Sequence, residues 1–222
     1  MKSLLVRLLT VAAILGFVAL GVWQLDRLQW KLALIRQVDA KLAAAPVPAP
    51  SATYRATAAD TYTRVVAQGR WLPARDSYVQ AITVLGAGYW VMTPLETARG
   101  RILVNRGFVP TDMRGHAPAA SGVARVTGLL RLDEPGGGFL RTNDPVADRW
   151  YSRDVNAIAA AKRLGPVAGW FIDAGRNGER WPRGGLTVIA FRNSHLSYAL
   201  TWFAMAALLT VLAARAWRSE AR

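Results

Sequence analysis

Hydrophobic and polar positions divide the chain into an apolar run at each end and an alternating middle. The first run, Leu8 to Leu25, crosses 18 positions without a charged residue, and the second, Leu196 to Ala214, crosses 19. At ~1.5 Å of rise per helical residue, either run can span the ~30 Å hydrocarbon core of a bilayer. Lys2 and Arg7 precede the first run, and Asp26 and Arg27 follow it. His195 stands at the entrance of the second, with Arg215 and Arg218 at its exit. A cleavable signal peptide is the competing account of the first run, with Ala19-Leu20-Gly21 as its small-x-small site. The run is longer than the ~7–15 residues of a signal core, and Trp23 and Trp30 suit a membrane interface, so a retained helix is expected. Ala12 and Gly16 form one small-xxx-small pair, and Ala206, Thr210 and Ala214 a similar stripe, through which the two helices could approach each other. The helical pattern continues through GVWQLDRLQWKLALIRQVDAKLAAA until APVPAPSA, residues 45–52, breaks it.

The middle of the chain reads as short strands. In YTRVVAQGRW, Val65, Ala67 and Trp71 fall on one side and Arg64, Gln68 and Arg70 on the other, the period of a half-buried strand. WVMTPLE and RILVNRGFVP flank Thr97 to Gly100, which predicts a hairpin with Gly100 in its turn. RVTGLLRL, VAGWFIDAG and LTVIAF are also strand-like, the last two separated by the turn-rich RNGERWPRGG. Between the strands, DVNAIAAAKRLG predicts one short helix, with Asp154 as N-cap, an apolar stripe of Ile158, Ala161 and Leu164, and Gly165-Pro166 as its stop. Glu134 to Gly138 reads as a flexible loop, and no repeat or coiled-coil heptad is evident. The expected fold is an α+β membrane protein in which two transmembrane helices flank an external antiparallel-sheet or small-barrel domain with a short helix. The expected order is a cytoplasmic tail (1–7), a span (8–25), the periplasmic domain (26–194), a second span (195–214) and a second tail (215–222). Basic residues in both tails, Lys2 and Arg7 against Arg215, Arg218 and Arg222, put both tails inside, although Arg27, Lys31, Arg36 and Lys41 oppose the rule locally.

Composition narrows the chemistry. The formal charge is +14, but the arginines are scattered singly, so anionic lipid or ligand carboxylates suit them better than nucleic acid. The absence of cysteine excludes disulfides, thiolate catalysis, Cys-based zinc sites and covalent c-type haem attachment. No Walker A loop, dinucleotide fingerprint, HExxH helix or GxSxG elbow is present. His116 lies in the loop TDMRGHAPAASG, where solvation is expected. Asp144, Asp148 and Asp154 cluster in NDPVADRWYSRD, where turn and cap roles compete with acid–base work. No catalytic residues are assigned, and the protein is expected not to be an enzyme.

His195, at the entrance of the second run, carries the side chain that most often ligates transition metals, although a lone histidine at a helix end usually does not. On a helix it shares a face with Tyr198, Ala199, Trp202 and Ala206, although ordinary interfacial anchoring also accounts for the aromatics. Four stretches then occur in order: GVWQLDRLQWK at 21–31, LVNRGFVP at 103–110, NDPVADRWYSRD at 143–154 and NSHLSYALTWF at 193–203. With a terminal helix at each end, they make nearly the whole chain resemble the Surfeit locus protein 1 family of cytochrome c oxidase assembly factors. Phe108, where many members have Trp, and Asp148, where Asn is common, are mild departures.

The resemblance implies a haem a carrier that assists haem insertion into oxidase subunit I, with haem a bound transiently and the haem a synthesis machinery as a further partner. It makes His195 the candidate iron ligand, flanked by Trp202 and Tyr198. Arg27, Gln24, Arg106 and Arg192 become candidate propionate or partner contacts. Trp23, Asn105, Gly107, Trp150, Tyr151 and Asp154 are family-motif residues. Asn105-Arg106-Gly107 reads equally as a turn or bulge at a strand end and as a partner contact. Trp150 and Tyr151 read as core or interface aromatics. The expected location is a bacterial plasma membrane, because nothing resembling a transit peptide precedes the first run. A haem-free scaffold holding a nascent oxidase subunit is the alternative, and a membrane enzyme acting on lipid or sugar is a third reading.

Overall fold

The computed structural model describes residues 2–72, 75–138, 140–187, 189 and 191–220. Arg222 and two positions of the predicted strand LTVIAF, Val188 and Ala190, therefore lie outside the described residues. The chain forms two compact units, one of residues up to Asp39 together with those from Ile189 onward, and one from Ala40 to Val188.

The first unit is an antiparallel helical hairpin. Helix α1 spans Lys2–Ala43, and its partner at the far end of the chain spans His195–Glu220. Both are long and apolar enough to cross a membrane. Phe17 stacks on Trp202 with ring centres 5.7 Å apart, Arg7 lies over the Trp217 ring at 5.8 Å, and Lys31 lies over Phe191 at 5.2 Å. The shielded positions on α1 include the series Thr10, Ile14, Phe17, Gly21, Gln24, Leu28 and Lys31, and those on the partner helix include His195, Ala199, Trp202, Ala206, Leu209 and Ala213. Both series step by alternating threes and fours, the spacing of a coiled-coil seam. Sequence reading expects no heptad here because a membrane helix is apolar all round, and its packing period is hidden in a uniform background. The predicted small-residue pair is also displaced. Ala12 and Gly16 are exposed, and the close approach falls at Gly21, where a Cβ would stand 2.5 Å from the Phe203 ring. Of the predicted Ala206/Thr210/Ala214 stripe only Ala206 is fully buried; Thr210 is exposed.

The second unit is a small barrel. Its strands are β1 (Val47–Pro48), β2 (Arg64–Trp71), β3 (Ser77–Thr83), β4 (Gly86–Thr97), β5 (Gly100–Pro110) and β6 (Val123–Leu132). The short pair β7 (Gly137–Gly138) and β8 (Arg141–Thr142) follows, then helix α2 (Val155–Ala161) and β9 (Trp170–Ala174). The terminal helix is α3. The sheet runs β1-β2-β6-β9-β5-β4-β3, and an extra β2–β4 pairing closes β2, β6, β9, β5 and β4 into a ring. The sheet is mixed rather than wholly antiparallel, because β1 runs parallel to β2 and β9 parallel to β5. The predicted Thr97–Gly100 hairpin joins β4 to β5, with Gly100 at a positive φ of 104° that a side chain would resist. Glu134 to Gly138 is not simply a loop, since Gly137 and Gly138 pair with β8.

Alternation along β5 and β9 divides the core in two. Ile102, Val104, Trp170 and Ile172 enter the cluster inside the ring with Val65, Leu95 and Leu130. Leu103 and Phe171 face the other way, into a cluster with Met92, Trp150 and α2. Both faces of these strands are thus covered, which explains their nearly unbroken apolar runs. Asp154 caps α2, its Oδ1 accepting from the Ala157 N–H at 2.9 Å. The buried face of the helix is Val155, Ile158 and Ala159 with Leu164 beyond it; Ala161 is exposed, correcting the predicted stripe. The helix stops at Ala161 because the chain turns left-handed at Arg163 and Gly165. Leu186, Thr187 and Phe191, the outer positions of the predicted strand LTVIAF, are not in strand conformation.

Ring closure rests on three residue pairs, Gly69–Thr97, Arg70–Glu96 and Trp71–Leu95. A Cβ on Gly69 would lie 2.2 Å from the Glu96 carbonyl oxygen, so backbone rather than a movable side chain would have to give way. Gly69→Ala is expected to open this seam and destabilise the domain by about 1–3 kcal/mol. Gly169→Ala, at a glycine with open space around it, is the matched control. Thermal unfolding of the two variants side by side is the check; equal midpoints would show that β2–β4 pairing does not hold the ring shut.

Candidate functional site

The helical hairpin pairs two polar side chains from opposite ends of the chain. His195, at the first turn of α3, brings Nδ1 to 2.8 Å from Oε1 of Gln24 on α1. Gln24 is 9% exposed and His195 is half-buried. An amide oxygen only accepts, so Nδ1 carries the proton and donates it. In the neutral imidazole Nε2 then keeps its lone pair, the tautomer in which a histidine can ligate a metal. Gln24 thus orients the ring, and one free nitrogen remains.

The surrounding candidates divide by face. Trp202 lies two turns further along α3 and packs on Phe17 across the seam. Tyr198 is 56% exposed and points off the seam, so the face predicted to carry His195, Tyr198 and Trp202 together is split. Arg27 stacks over Trp30 at 4.3 Å, Arg192 is exposed, and Trp23 is 52% exposed. Among the described residues, no group of three or more His, Asp or Glu side chains could hold a metal ion. What the hairpin offers is one imidazole nitrogen, so a metal held here would need its remaining ligands from another source.

The barrel domain gathers its motif residues around a buried carboxylate. Asp173 is 2% exposed. It accepts hydrogen bonds from Asn105 Nδ2 at 2.8 Å, Arg131 Nη1 at 3.1 Å, Arg153 Nη1 at 3.0 Å and Thr187 Oγ1 at 3.1 Å. Arg153 grips Glu134 with two nitrogens, Nε at 3.0 Å and Nη2 at 2.6 Å. Asn105 also turns its Oδ1 to the Gly107 N–H at 3.1 Å. Trp90 pairs with Phe108 and Met92 with Asn105, so Arg106-Gly107 supplies the extra residue of a β-bulge. The predicted bulge exists, but in mid-strand rather than at a strand end, with Gly107 at φ +133°. Arg106 is held within this domain, Nη2 donating to the Pro118 carbonyl at 2.6 Å and Nη1 lying 3.7 Å from Asp76.

The loop NDPVADRWYSRD is knit to itself. Asn143 Oδ1 accepts from the Tyr151 and Ser152 N–H groups, Asp144 pairs with Arg149, and Asp148 accepts from the buried Trp150 indole at 2.7 Å. Asp154 Oδ2 takes the Gly136 N–H at 2.9 Å while its other oxygen caps α2. Turn and cap contacts therefore occupy Asp144 and Asp154, while Asp148 also pairs with Lys162 Nζ at 3.0 Å. Trp150 is a core residue, and Tyr151 is half-buried beneath Arg141. His116 is exposed, its Nδ1 3.0 Å from the Arg114 carbonyl oxygen. Sequence reading missed Arg131, Arg153 and Asp173. For Arg131 and Asp173 the signal was a charge interrupting an apolar strand, in GLLRL and WFIDA, and Arg153 stood unremarked inside NDPVADRWYSRD.

Residues 11–207 match the SURF1 family. Surfeit locus protein 1 of Rattus norvegicus is 30% identical over 219 residues, covering 87% of this chain and 69% of the relative. The Homo sapiens protein of the same name is 31% identical over 220 residues, covering 87% and 71%. A SURF1-like protein of Monosiga brevicollis is 36% identical over 210 residues, covering 85% and 78%.

The charge network carries a pH signature. Burial alone would raise the Glu134 carboxyl, but the Arg153 hydrogen bonds and the charges of Arg153 and Arg131 outweigh it and hold Glu134 below its usual value of 4.5. A carboxylate depressed in the folded state contributes stability above its unfolded pKa and loses it as pH falls through the folded one. The advantage of wild type over Glu134→Gln is therefore expected to be full near pH 6 and to shrink as pH drops below about 4.5. Asp133, pushed up by burial, acts in the opposite sense in both proteins and cancels in the comparison. Thermal unfolding across that range is the check; a difference that does not change with pH would refute the assignment.

Proposed function

Since the chain belongs to the SURF1 family, we propose that it is a membrane-bound cytochrome c oxidase biogenesis factor that carries haem a and assists its insertion into subunit I. The observation that carries this reading is the His195–Gln24 pair, which keeps a proton on Nδ1 and leaves Nε2 as an iron ligand. In this reading His195 takes the haem iron, Trp202 flanks the macrocycle, and Arg27 and Arg192 meet the propionates by charge-assisted hydrogen bonds. A single imidazole would hold the haem by its iron while leaving it releasable to the oxidase. Both short tails lie in the cytoplasm, and the barrel domain lies on the outer face of a bacterial plasma membrane. The basic residues of the tails support that orientation.

The experiment is the visible spectrum of detergent-purified protein from cells making haem a. His195→Ala is expected to lose most of the haem a band. Gln24→Leu, which frees the ring to adopt the other tautomer, is expected to weaken haem affinity about 10–100-fold, as for other outer-shell partners of metal-bound histidines. Equal bands in wild type and His195→Ala would move the ligand elsewhere. Co-purification of an oxidase subunit with no band in any variant would favour the haem-free scaffold.

A further inference from the structure

We infer that the barrel domain carries a binding site for a phosphate-type oxyanion, separate from the histidine on the helices. A cavity of about 640 Å³ opens beside β2 and β6 and is bordered by the segment that follows β9. Arg64, Arg106, Arg125, Arg176 and Arg180 line it, and among the described residues no carboxylate does. These arginines come from four separate parts of the sequence, and only the fold gathers them. Arg64 Nη1 donates to the Ala44 carbonyl at 3.0 Å and Arg106 faces Asp76, while Arg125, Arg176 and Arg180 are exposed. The like charges gathered here make the cavity attractive to an anion.

Arg106 identifies what is missing. Its side chain is 13% exposed. Nη2 is used by the Pro118 carbonyl, but Nη1 is buried without a hydrogen-bond acceptor, its nearest counter-charge being Asp76 at 3.7 Å. Burial also pulls the Arg106 guanidinium below its ordinary pKa, a cost that a bound anion would relieve. A buried donor without an acceptor is unfavourable, and more so when it is charged. The β5 bulge sets this side chain in place, since it falls at Arg106-Gly107.

The donor array favours a phosphate group over a single carboxylate. Guanidinium forks match both anions, but a carboxylate offers two oxygens and one charge to five cations. A phosphate group offers more oxygens and up to two charges. The cavity exceeds what a lone phosphate would fill, and Trp71 and Trp181 supply aromatic wall, so the phosphate is expected to be joined to a further group. A lipid headgroup that ends in a phosphomonoester and a soluble phosphate compound share this chemistry.

Isothermal titration of the full chain in detergent, with inorganic pyrophosphate and separately with dihexanoyl phosphatidic acid, tests the site. Saturable binding that weakens with salt is expected for at least one probe. Pyrophosphate alone would assign a soluble ligand, and phosphatidic acid alone a lipid headgroup. Arg125→Gln combined with Arg180→Gln, both exposed in the wild type, is expected to weaken binding at least ~10-fold with an unchanged unfolding midpoint. Arg106→Lys keeps the charge but loses the fork, and is expected to weaken binding as well. The haem a spectrum of the double variant is expected to match wild type, which separates this site from the one on the helices. No saturable binding of either probe, or equal binding by the double variant, would overturn the assignment.

Discussion

Asp173 is the constraint on which the barrel domain depends. A carboxylate this deeply buried is strongly unfavourable unless it is both neutralised and hydrogen-bonded. Its partners come from β5, β6, the loop before α2 and the segment after β9, so these parts must all be in place together. Losing Asn105 or Thr187 would cost the carboxylate a hydrogen bond, and losing Arg131 or Arg153 would remove half of its neutralising charge. Arg131 and Arg153 also lie over the rings of Tyr62 and Phe171, which gives their apolar faces a use at the same time.

The helical hairpin follows the same physics at smaller scale. A polar side chain in an apolar span seeks a partner, and Gln24 finds His195 across 171 residues of sequence. The pairing fixes which segment of α1 lies opposite the start of α3. Gly21, one turn away, lets the Phe203 ring approach the α1 backbone. A hydrogen bond that could be read as functional therefore also serves as a register mark for the two helices.

Features written into short windows were legible in the sequence. The period of two in β2, the Asp154 cap and the glycine of the β4–β5 turn each depend on a few neighbouring residues. Strand β3 was not legible, because its turn, Val84-Leu85-Gly86, is apolar and exposed instead of polar, and Ile82 is 88% exposed. Ring closure was only one of two options, since the β2–β4 pairing joins residues far apart in the chain. The arginine cavity was hidden for the same reason: single arginines at positions 64, 106, 125, 176 and 180 look like scatter until the strands bring them together. For the candidate site, the histidine was legible as an oddity in an apolar run and Gln24 as a nearby contact, but their pairing was not. Nor was the outward turn of Tyr198, which depends on where the seam runs.

The bulge in β5 has a consequence for how this chain can vary. Ahead of it, Leu103 faces α2 and Val104 faces the ring interior. Beyond it, Phe108 lies opposite Trp90 and packs edge-on against it at 6.0 Å. By simple alternation from Leu103, Phe108 would have pointed into the ring; the added residue returns it to the side of Trp90. Arg106-Gly107 thus works as a reading-frame device for side chains. Deleting one residue there would turn Phe108 and Val109 inside out while altering no other residue's chemistry. The number of residues between Asn105 and Phe108 is accordingly as much a part of the fold as their identity.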